Sequence, residues 1–390
     1  MNPEPKSSSR FGHFFDTYTK DLKAEDLQRL FTRDTREAYK FFTRGADLDA
    51  FSRLPWHTCI LAHARLLFVA FTMKLSPARR IVYGAALLFL ASGVLHLLHG
   101  IGIASTAVGP VTVVVPGIAF PEGTVSLIIA FALMNFLVLL ELADRLSLKN
   151  DLEIAREIQQ AMLPSGLYSA PGVETAGLSR PANTVGGDFF DILPLGDGRV
   201  VITVGDVAGK GSPAALLMAL LLAMLRTLVD EKLEPAELVT RLNVQVCRHA
   251  PGTRFITLFY GVYQPITGDM AYVSAGHMPP LVLRNDGRCE RLTDGGIALG
   301  MFDQSPYSVG RVIIEPNELV AIYSDGITEA EDRAGRPFDE DGLEATLKVH
   351  RDEPITSIGA AIVRAVERHT ADTRLADDLT ILLLRRSPTA

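Results

Sequence analysis

The sequence predicts an α+β protein in which antiparallel β-sheets are layered with helices, preceded by a helical membrane hairpin and a linker helix. Short β-rich runs separated by turn residues fill residues 166–387. Helical stretches lie between groups of these runs and do not alternate with them one for one, which favours antiparallel layers over a parallel βαβ sheet. Two uncharged apolar runs, at 81–101 and 124–140, are each about long enough to cross a bilayer.

Length and composition narrow the class of protein further. A chain of 390 residues is long enough for two or three structural units. The net charge is −7, and no basic stripe is present, which argues against nucleic acid as a partner. The three cysteines lie far apart and in no metal-ligand spacing, which predicts a reducing compartment with neither a disulfide framework nor a zinc site.

Residues 1–78 are predicted to form a helical cytoplasmic segment. Residues 1–10 are polar, so we expect them to be disordered. They also lack the apolar core of a signal peptide. Residues 11–55 have the pattern of short amphipathic helices. The run at 56–74 is apolar but interrupted by two histidines and an arginine, which favours an interfacial helix, with a spanning helix as the alternative.

A transmembrane helical hairpin is predicted over 79–143, with spans at 81–101 and 124–143. The connection between them is uncharged except for Glu122, and rich in glycine and proline. Positive side chains lie only on the outer flanks: Lys74, Arg79, Arg80, Arg145 and Lys149. This asymmetry predicts a multi-pass protein of the inner membrane with both flanks in the cytoplasm. The alternative is a buried helical hairpin in a soluble domain.

A linker helix is predicted over 144–165, as a continuation of the second span. Apolar residues recur there every three or four positions between Glu and Arg residues, and Pro164 ends the pattern. Such a helix can pair with a second copy as a short coiled coil, which predicts a homodimer. Packing of the helix on its own domain is the alternative.

The C-terminal domain, residues 166–388, contains at least seven predicted strands and three helices. The helices are expected at 213–230, 235–249 and 355–369. The strand runs, in chain order, are RVVITVGDV, FITLFYGVY, DMAYVSAG, PLVLRND, SVGRVIIE, ELVAIYSD and LTILLLRR.

Four aspartates of this domain lie where a strand meets a turn: Asp188, Asp206, Asp325 and Asp377. A carboxylate beside buried chain is costly unless it is paired or binds a cation. Several carboxylates converging from strand ends form an all-oxygen site suited to Mg²⁺ or Mn²⁺. The pattern therefore predicts metal-assisted phosphoryl chemistry.

Two glycine-rich motifs suggest other functions. The segment GDVAGKG (205–211) does not match a nucleotide-binding P-loop, because Val204 replaces the first glycine and Gly211 replaces the Ser or Thr after the lysine. The segment GGDFFD (186–191) is similar to the GGDEF signature of diguanylate cyclases, which is an alternative function. A cyclase would leave the three later aspartates without a role.

Residues from about 152 to 387 resemble the SpoIIE/RsbU-like bacterial branch of the metal-dependent serine/threonine phosphatases, the PPM or 2C-type superfamily. Eight motifs in chain order carry the resemblance: AREIQQAMLP, RPANTVGGDFFD, GDVAGKGSPAALLMA, FITLFYGV, SAGHMPPLVL, IALGMF, YSDGITEA and DDLTILLL. The resemblance implies two antiparallel β-sheets sandwiched between helices, with a two-metal site at one end of the sandwich.

By the same resemblance, two divalent ions, Mn²⁺ or Mg²⁺, would be held by the four aspartates and the Val207 carbonyl, with the aspartates as the catalytic residues. Asp206 would bridge both ions, and Asp325 and Asp377 would complete one of them. Asp188 and the Val207 carbonyl would serve the other. The implied reaction is the attack of metal-activated water on phosphoserine or phosphothreonine.

The implied substrate is a phosphorylated STAS-type anti-sigma-factor antagonist, dephosphorylated by a membrane-tethered enzyme. A change in the membrane hairpin or N-terminal segment would reach the enzyme through the linker helix. Three points stay open. His277 is a titratable candidate but more often such a residue is structural. Asp378 is an alternative to Asp377, and a non-catalytic module with the same fold is an alternative to the enzyme.

Overall fold

The computed structural model describes residues 55–99, 101–108, 111–118, 121–250, 254–371 and 375–387. The chain divides into two compact units, residues 1–145 and residues 146–390. The predicted helices of 11–55 and the disorder predicted for 1–10 fall almost entirely outside the described residues. The domain limits inferred from the sequence remain predictions.

The described part of the first unit contains three helices: α1 (Trp56–Lys74), α2 (Pro77–His99) and the beginning of α3 (Pro121–Met162). Helices α2 and α3 are long and apolar enough to cross a membrane, judged by length and composition alone. They approach closely at two glycines, where a β-carbon on Gly123 would lie 2.7 Å from the Gly93 carbonyl oxygen. At another point Arg79 of α2 is 2.7 Å from Asp144 of α3.

The connection between the two apolar helices differs from the prediction. No strands were predicted there, but it contains two antiparallel strands, β1 (Ile101–Val108) and β2 (Val111–Ile118). The first apolar helix also ends at His99, two residues before the predicted limit of the span. The many valine, isoleucine and threonine residues of this stretch, which favour strands, explain the difference.

The predicted continuation of the second apolar helix is confirmed. Helix α3 is a single helix of 42 residues that ends at Met162, just before Pro164. Its last part, from residue 146, belongs to the second unit. The apolar first part and the charged last part of α3 therefore form one uninterrupted helix.

The second unit contains two six-stranded sheets. Sheet 1 has the order β10-β9-β13-β14-β4-β3, and sheet 2 has the order β11-β8-β7-β6-β5, with β12 beside β8. The bounds are β3 Leu167–Ala170, β4 Val173–Arg180, β5 Phe189–Pro194, β6 Val200–Val207, β7 Ile256–Tyr263, β8 Asp269–Ala275, β9 Leu281–Leu283, β10 Cys289–Arg291, β11 Gly295–Gly296, β12 Gly310–Ile313, β13 Leu319–Tyr323 and β14 Leu379–Arg385. Every pairing is antiparallel except that of the two-residue β11 with β8.

Five helices complete the described part of this unit. They are α4 (Ser212–Asp230), α5 (Pro235–His249), the short α6 (Asp325–Thr328), α7 (Asp339–His350) and α8 (Ile355–His369). The three predicted helices are confirmed within one residue. Helix α7 was not predicted, because its acidic first turn and Gly342 obscure a weak apolar pattern. The short or weakly apolar strands β3, β4, β5, β10 and β11 were also not predicted.

Side-chain alternation along the strands sets the four layers. In β14, Leu382 and Leu384 point into the core between the two sheets, whereas Ile381 and Leu383 face the core shared with α7 and α8. On the far side, Val201 of β6 packs in a third core with α4 and α5. Helix α4 is apolar enough to span a membrane by composition, but its buried face belongs to this core. The layers are helix, sheet, sheet, helix, as predicted.

Candidate metal centre

The four predicted aspartates lie at one end of the two sheets because of strand direction. In sheet 2, the start of β5 pairs with the end of β6, with Phe189 opposite Gly205. In sheet 1, the end of β13 pairs with the start of β14, with Tyr323 opposite Ile381. Each antiparallel pair therefore brings two strand ends together, and each pair carries two of the aspartates. The four are Asp188, Asp206, Asp325 and Asp377.

The carboxylates of sheet 2 interact with each other, and Asp188 is buried whereas Asp206 is partly buried. Asp188 is only 4% exposed. Burial, and then the charge of Asp206, raises its pKa well above the ordinary value, although the nearby Ser324 and Thr380 hydroxyls act in the opposite direction. Burial, and then the charge of Asp325, raises the pKa of Asp206 to about 6. Asp188 Oδ2 is buried and has no hydrogen-bond partner among the described residues.

Gly187 leaves open a small space beside these carboxylates that is lined by oxygen atoms, and we call this space the Gly187 cradle. A β-carbon at this position would lie 2.8 Å from the Val207 carbonyl oxygen and 3.2 Å from Asp206 Oδ1. Any side chain at position 187 would therefore fill the space in front of both oxygens. The Val207 carbonyl and the Asp206 carboxylate face the same small space, as the resemblance implied.

The carboxylates of sheet 1 are more accessible. Asp325 begins helix α6 directly after β13, and burial followed by the charge of Asp377 raises its pKa. Gly326 packs against the backbone carbonyl of Asp378, which holds the start of α6 beside the segment that precedes β14. The Asp377 side chain is 47% exposed. Both carboxylates of this half are therefore partly exposed, whereas on sheet 2 Asp188 is buried.

Asp378 has a structural position. Its carboxylate accepts hydrogen bonds from the backbone N–H of Ala182 at 2.8 Å and from that of Gly187 at 2.7 Å. These bonds link the segment before β14 to the loop that carries Asp188. Asp378 is buried, and its two oxygens are already occupied by these donors, which favours Asp377 as the ligand.

Two contacts at the end of helix α3 were not predicted. The Gln159 side chain donates to the Gly186 carbonyl at 2.7 Å and accepts from the Gly186 N–H at 3.2 Å. Arg226 of α4 donates to the carbonyl of Met162 at 2.7 Å and to the buried Asp191 carboxylate at 2.7 Å. The end of the linker helix is therefore fastened to the loop beside Asp188 and, through Arg226, to β5.

His277 lies two residues after the end of β8, a strand of sheet 2. Its Nδ1 is 3.0 Å from the hydroxyl of Thr257, the residue that pairs with Asp206 in the strand register. Burial lowers the pKa of His277 to about 4. The ring is therefore neutral at physiological pH and is buried away from an incoming substrate, in keeping with a structural role.

The ligand atoms of this cluster are of the kind that a pair of hard divalent ions prefers. An unpartnered buried oxygen on Asp188, the Gly187 cradle and several mutually repelling carboxylates form an all-oxygen donor set. Among the described residues, no three His, Cys, Asp or Glu side chains already have ligand atoms at metal-binding spacing around one point. Binding an ion at this site therefore requires side-chain adjustment.

Comparison with known proteins identifies the domain. Residues 196–387 match the family model described as stage II sporulation protein E (SpoIIE). Protein IcfG of Synechocystis sp. is 28% identical over 61% of this chain, and the match spans only 42% of IcfG. The phosphoserine phosphatase RsbU of Bacillus subtilis is 27% identical over 61% of this chain and 71% of RsbU.

Solved structures agree with the family match. The RsbU and RsbW domains of a Mycobacterium tuberculosis protein align with a TM-score of 0.51 and 27% identity, covering 56% of this chain and 61% of that one. The SiaA PP2C domain of Pseudomonas aeruginosa aligns with a TM-score of 0.54 and 22% identity over 62% of this chain and 98% of that one, which supports the fold alone. Residues 196–387 of this chain therefore match the SpoIIE family model, and the C-terminal domain has the fold of the PP2C-type phosphatases.

Proposed function

We propose that this protein is a metal-dependent protein serine/threonine phosphatase. Two divalent ions would activate water and neutralise the transferring phosphoryl group. Asp206 would hold both ions, Asp188 and the Val207 carbonyl would complete one, and Asp325 and Asp377 would complete the other. The aspartates act by holding charge in position, and this positioning is most of what phosphoryl transfer requires of a protein.

The observation that carries this proposal is the unpartnered Asp188 Oδ2 beside the Gly187 cradle. A buried carboxylate oxygen without a donor is costly to a fold that has no use for it. Its neighbour Asp206 has a pKa of about 6, so proton and metal compete there near neutral pH. A cation at this position would satisfy both carboxylates and relieve their repulsion.

Hydrolysis of a phosphoserine peptide with added Mn²⁺ tests the proposal. Full-length protein should release phosphate only with the metal. Asp206→Asn should lose roughly 10³-fold or more in rate, because several kcal/mol of charge stabilisation disappear. Asp197→Asn is the matched control, since Asp197 is exposed in the β5–β6 turn and pairs with Arg199 at 2.7 Å. Equal rates for both variants would refute the assignment.

The same protein preparation separates the alternatives. A diguanylate cyclase would consume GTP, a reaction that the phosphatase assignment excludes. A non-catalytic module would bind a partner but release no phosphate with either metal. The presence of all four aspartates favours the enzyme over the non-catalytic module, because a domain without catalysis has no need to retain them.

We further propose that helices α2 and α3 tether the enzyme to the inner membrane with the catalytic domain in the cytoplasm. Their apolar lengths and the positive residues on the outer flanks support this arrangement. Resistance of the full chain to alkaline extraction from membranes tests it. Release of the protein into the alkaline supernatant would contradict it.

The linker end of α3 is proposed to regulate the site. Gln159 holds both backbone groups of Gly186, two residues before Asp188, so a shift of the helix would move a metal ligand. Inserting three residues after Leu148 rotates the helix relative to the membrane segment while leaving this contact in place. We expect basal activity to persist and its regulation to change.

The substrate is proposed to be a phosphorylated partner protein, of the STAS-type anti-sigma-factor antagonist class. The similarity to RsbU supports a phosphoserine substrate and a place in sigma-factor regulation.

We also propose a homodimer that forms through exposed apolar residues of α3, among them Leu146, Leu148, Ile154 and Ile158. Measuring the mass of the purified chain tests the dimer.

A further inference from the structure

Lys210 places a positive charge inside the rim of the carboxylate cluster. Its Nζ atom lies 2.9 Å from Asp377 Oδ2 and donates to the Ala376 carbonyl at 2.6 Å. The same charge acts on Asp325, where it opposes the rise in pKa. The ammonium group therefore offsets part of the negative charge of the half of the cluster that belongs to sheet 1, whereas no cation of the described residues acts in this way on Asp188 or Asp206.

The turn that carries Lys210 places the lysine between two glycines and leaves its side chain accessible to solvent. Gly209 and Gly211 flank it with φ angles of 106° and 78°, in the region that favours glycine. The Lys210 side chain is 52% exposed, so its ammonium group has direct access to water. Lysine is a compact, strongly hydrated charge on a flexible stem, and it loses little when it exchanges a carboxylate for solvent.

We propose that Lys210 is a built-in counter-ion that competes with a divalent metal for Asp377. In the lysine-bound state the ammonium occupies one of the ligand oxygens. Metal binding at the Asp325 and Asp377 half displaces it into solvent. This inference rests on the proposed two-metal function, and it predicts that the chain itself lowers the affinity of its more exposed metal position.

Electrostatics give the direction and size of the effect. A lysine ammonium and a divalent ion repel each other at the few-ångström separations that a shared carboxylate imposes. The pair is half-exposed, so solvent screens much of its energy. We expect neutralisation of Lys210 to lower the Kd of the weaker metal position by about two- to tenfold.

Calorimetric titration of the full-length protein with Mn²⁺, at fixed pH and ionic strength, measures this directly. Lys210→Met should bind the weaker Mn²⁺ more tightly, whereas Lys210→Arg, which keeps the charge, should resemble the wild type. Lys210→Gln provides a second neutral variant if the methionine variant folds poorly. Lys348→Met is the control, because Lys348 forms a similarly exposed pair with Glu344 at 3.0 Å on α7.

Thermal unfolding supplies an independent readout. Without metal, Lys210→Met should melt below the wild type, because the carboxylates lose their counter-ion. With saturating Mn²⁺ the two should melt together, since the metal has then replaced the lysine in both.

Two results have distinct meanings. Unchanged or weaker Mn²⁺ binding in both neutral variants, with wild-type binding and phosphatase activity intact, overturns only the role of Lys210. Absence of Mn²⁺ binding in the wild type overturns the two-metal function and this inference with it.

Discussion

The carboxylate cluster has two halves, Asp188 with Asp206 on sheet 2 and Asp325 with Asp377 on sheet 1. The two halves differ in how their negative charge is stabilised. On sheet 2, the buried Asp188 lies beside the partly buried Asp206, and desolvation raises both pKa values. On sheet 1, Asp377 is half-exposed and paired with Lys210 at 2.9 Å. Among the residues that the structure describes, no cation pairs with the sheet 2 half, whereas Lys210 pairs with the sheet 1 half. The difference indicates that the sheet 2 half is the position where an external cation is needed most.

Removing one carboxylate from each half is the strongest test of this difference between the two halves. Asp188→Asn should lower phosphatase activity by about 10²- to 10³-fold, because no solvent replaces a buried ligand. Asp377→Asn should lose about tenfold, since water reaches its position and can take the place of the missing oxygen. Initial rates at saturating Mn²⁺ measure both. A larger loss for Asp377→Asn would reverse the ranking of the two halves.

A second test concerns how the sheet 2 half is held in place. Gln159→Ala removes both hydrogen bonds to Gly186 and should lower activity about tenfold, as loss of a group that orients a metal ligand often does. Gln160→Ala is the matched control, because Gln160 is the same residue type, adjacent and exposed. Mn²⁺ affinity should fall in the first variant alone. Equal activity in the two variants would remove Gln159 from the account.

A smaller effect is expected in the metal-free protein. Asp188→Asn removes a buried charge that repels Asp206, so the variant should unfold about 2–4 °C above the wild type without metal, which corresponds to roughly 1 kcal/mol for a domain of this size. Asp377→Asn should lower the melting temperature, because it leaves Lys210 unpaired. Differential scanning calorimetry in the presence of a chelator distinguishes the two. A shift in the same direction for both would show that the halves do not differ in this way.

The smallest expected effect is a pH dependence. The Asp206 carboxyl has a pKa of about 6 in the folded protein and 3.8 as its ordinary value, so between these pH values the folded state binds more protons than the unfolded state. Metal-free stability should therefore fall as the pH rises from about 4 to 6. Asp206→Asn should flatten this part of the profile. Denaturant titrations at several pH values provide the measurement.

The sequence alone placed Asp206, Asp325 and Asp377 at strand ends because each follows or precedes a long apolar run, whereas the strand that follows Asp188 was not predicted. The runs VVITV, LVAIY and LTILLL leave little doubt about where strands end, and antiparallel pairing then gathers their ends. Gln159 and Lys210 could not be assigned in this way. Their partners, Gly186 and Asp377, lie 27 and 167 positions away in the chain, and no local pattern sets such distances.

The parts of the fold that were not predicted share a physical cause. Strand β4 (VETAGLSR) and helix α7 (DEDGLEATLKVH) contain few large apolar residues, so their periodicity is weak. Tertiary contacts determine them: β4 pairs with β14, and Leu343 and Leu347 of α7 fill the core above sheet 1. The β1–β2 hairpin was not predicted either, although its β-branched residues favour strands.

The most direct test of the central claim is anomalous diffraction from crystals of the protein grown with Mn²⁺. Two peaks about 3.5–4 Å apart should appear at the end of the sandwich, with the Asp206 carboxylate between them and Asp188 and Asp377 on opposite sides. Peaks elsewhere, or none near Asp206 in crystals of protein that hydrolyses phosphoserine, would contradict the proposed centre.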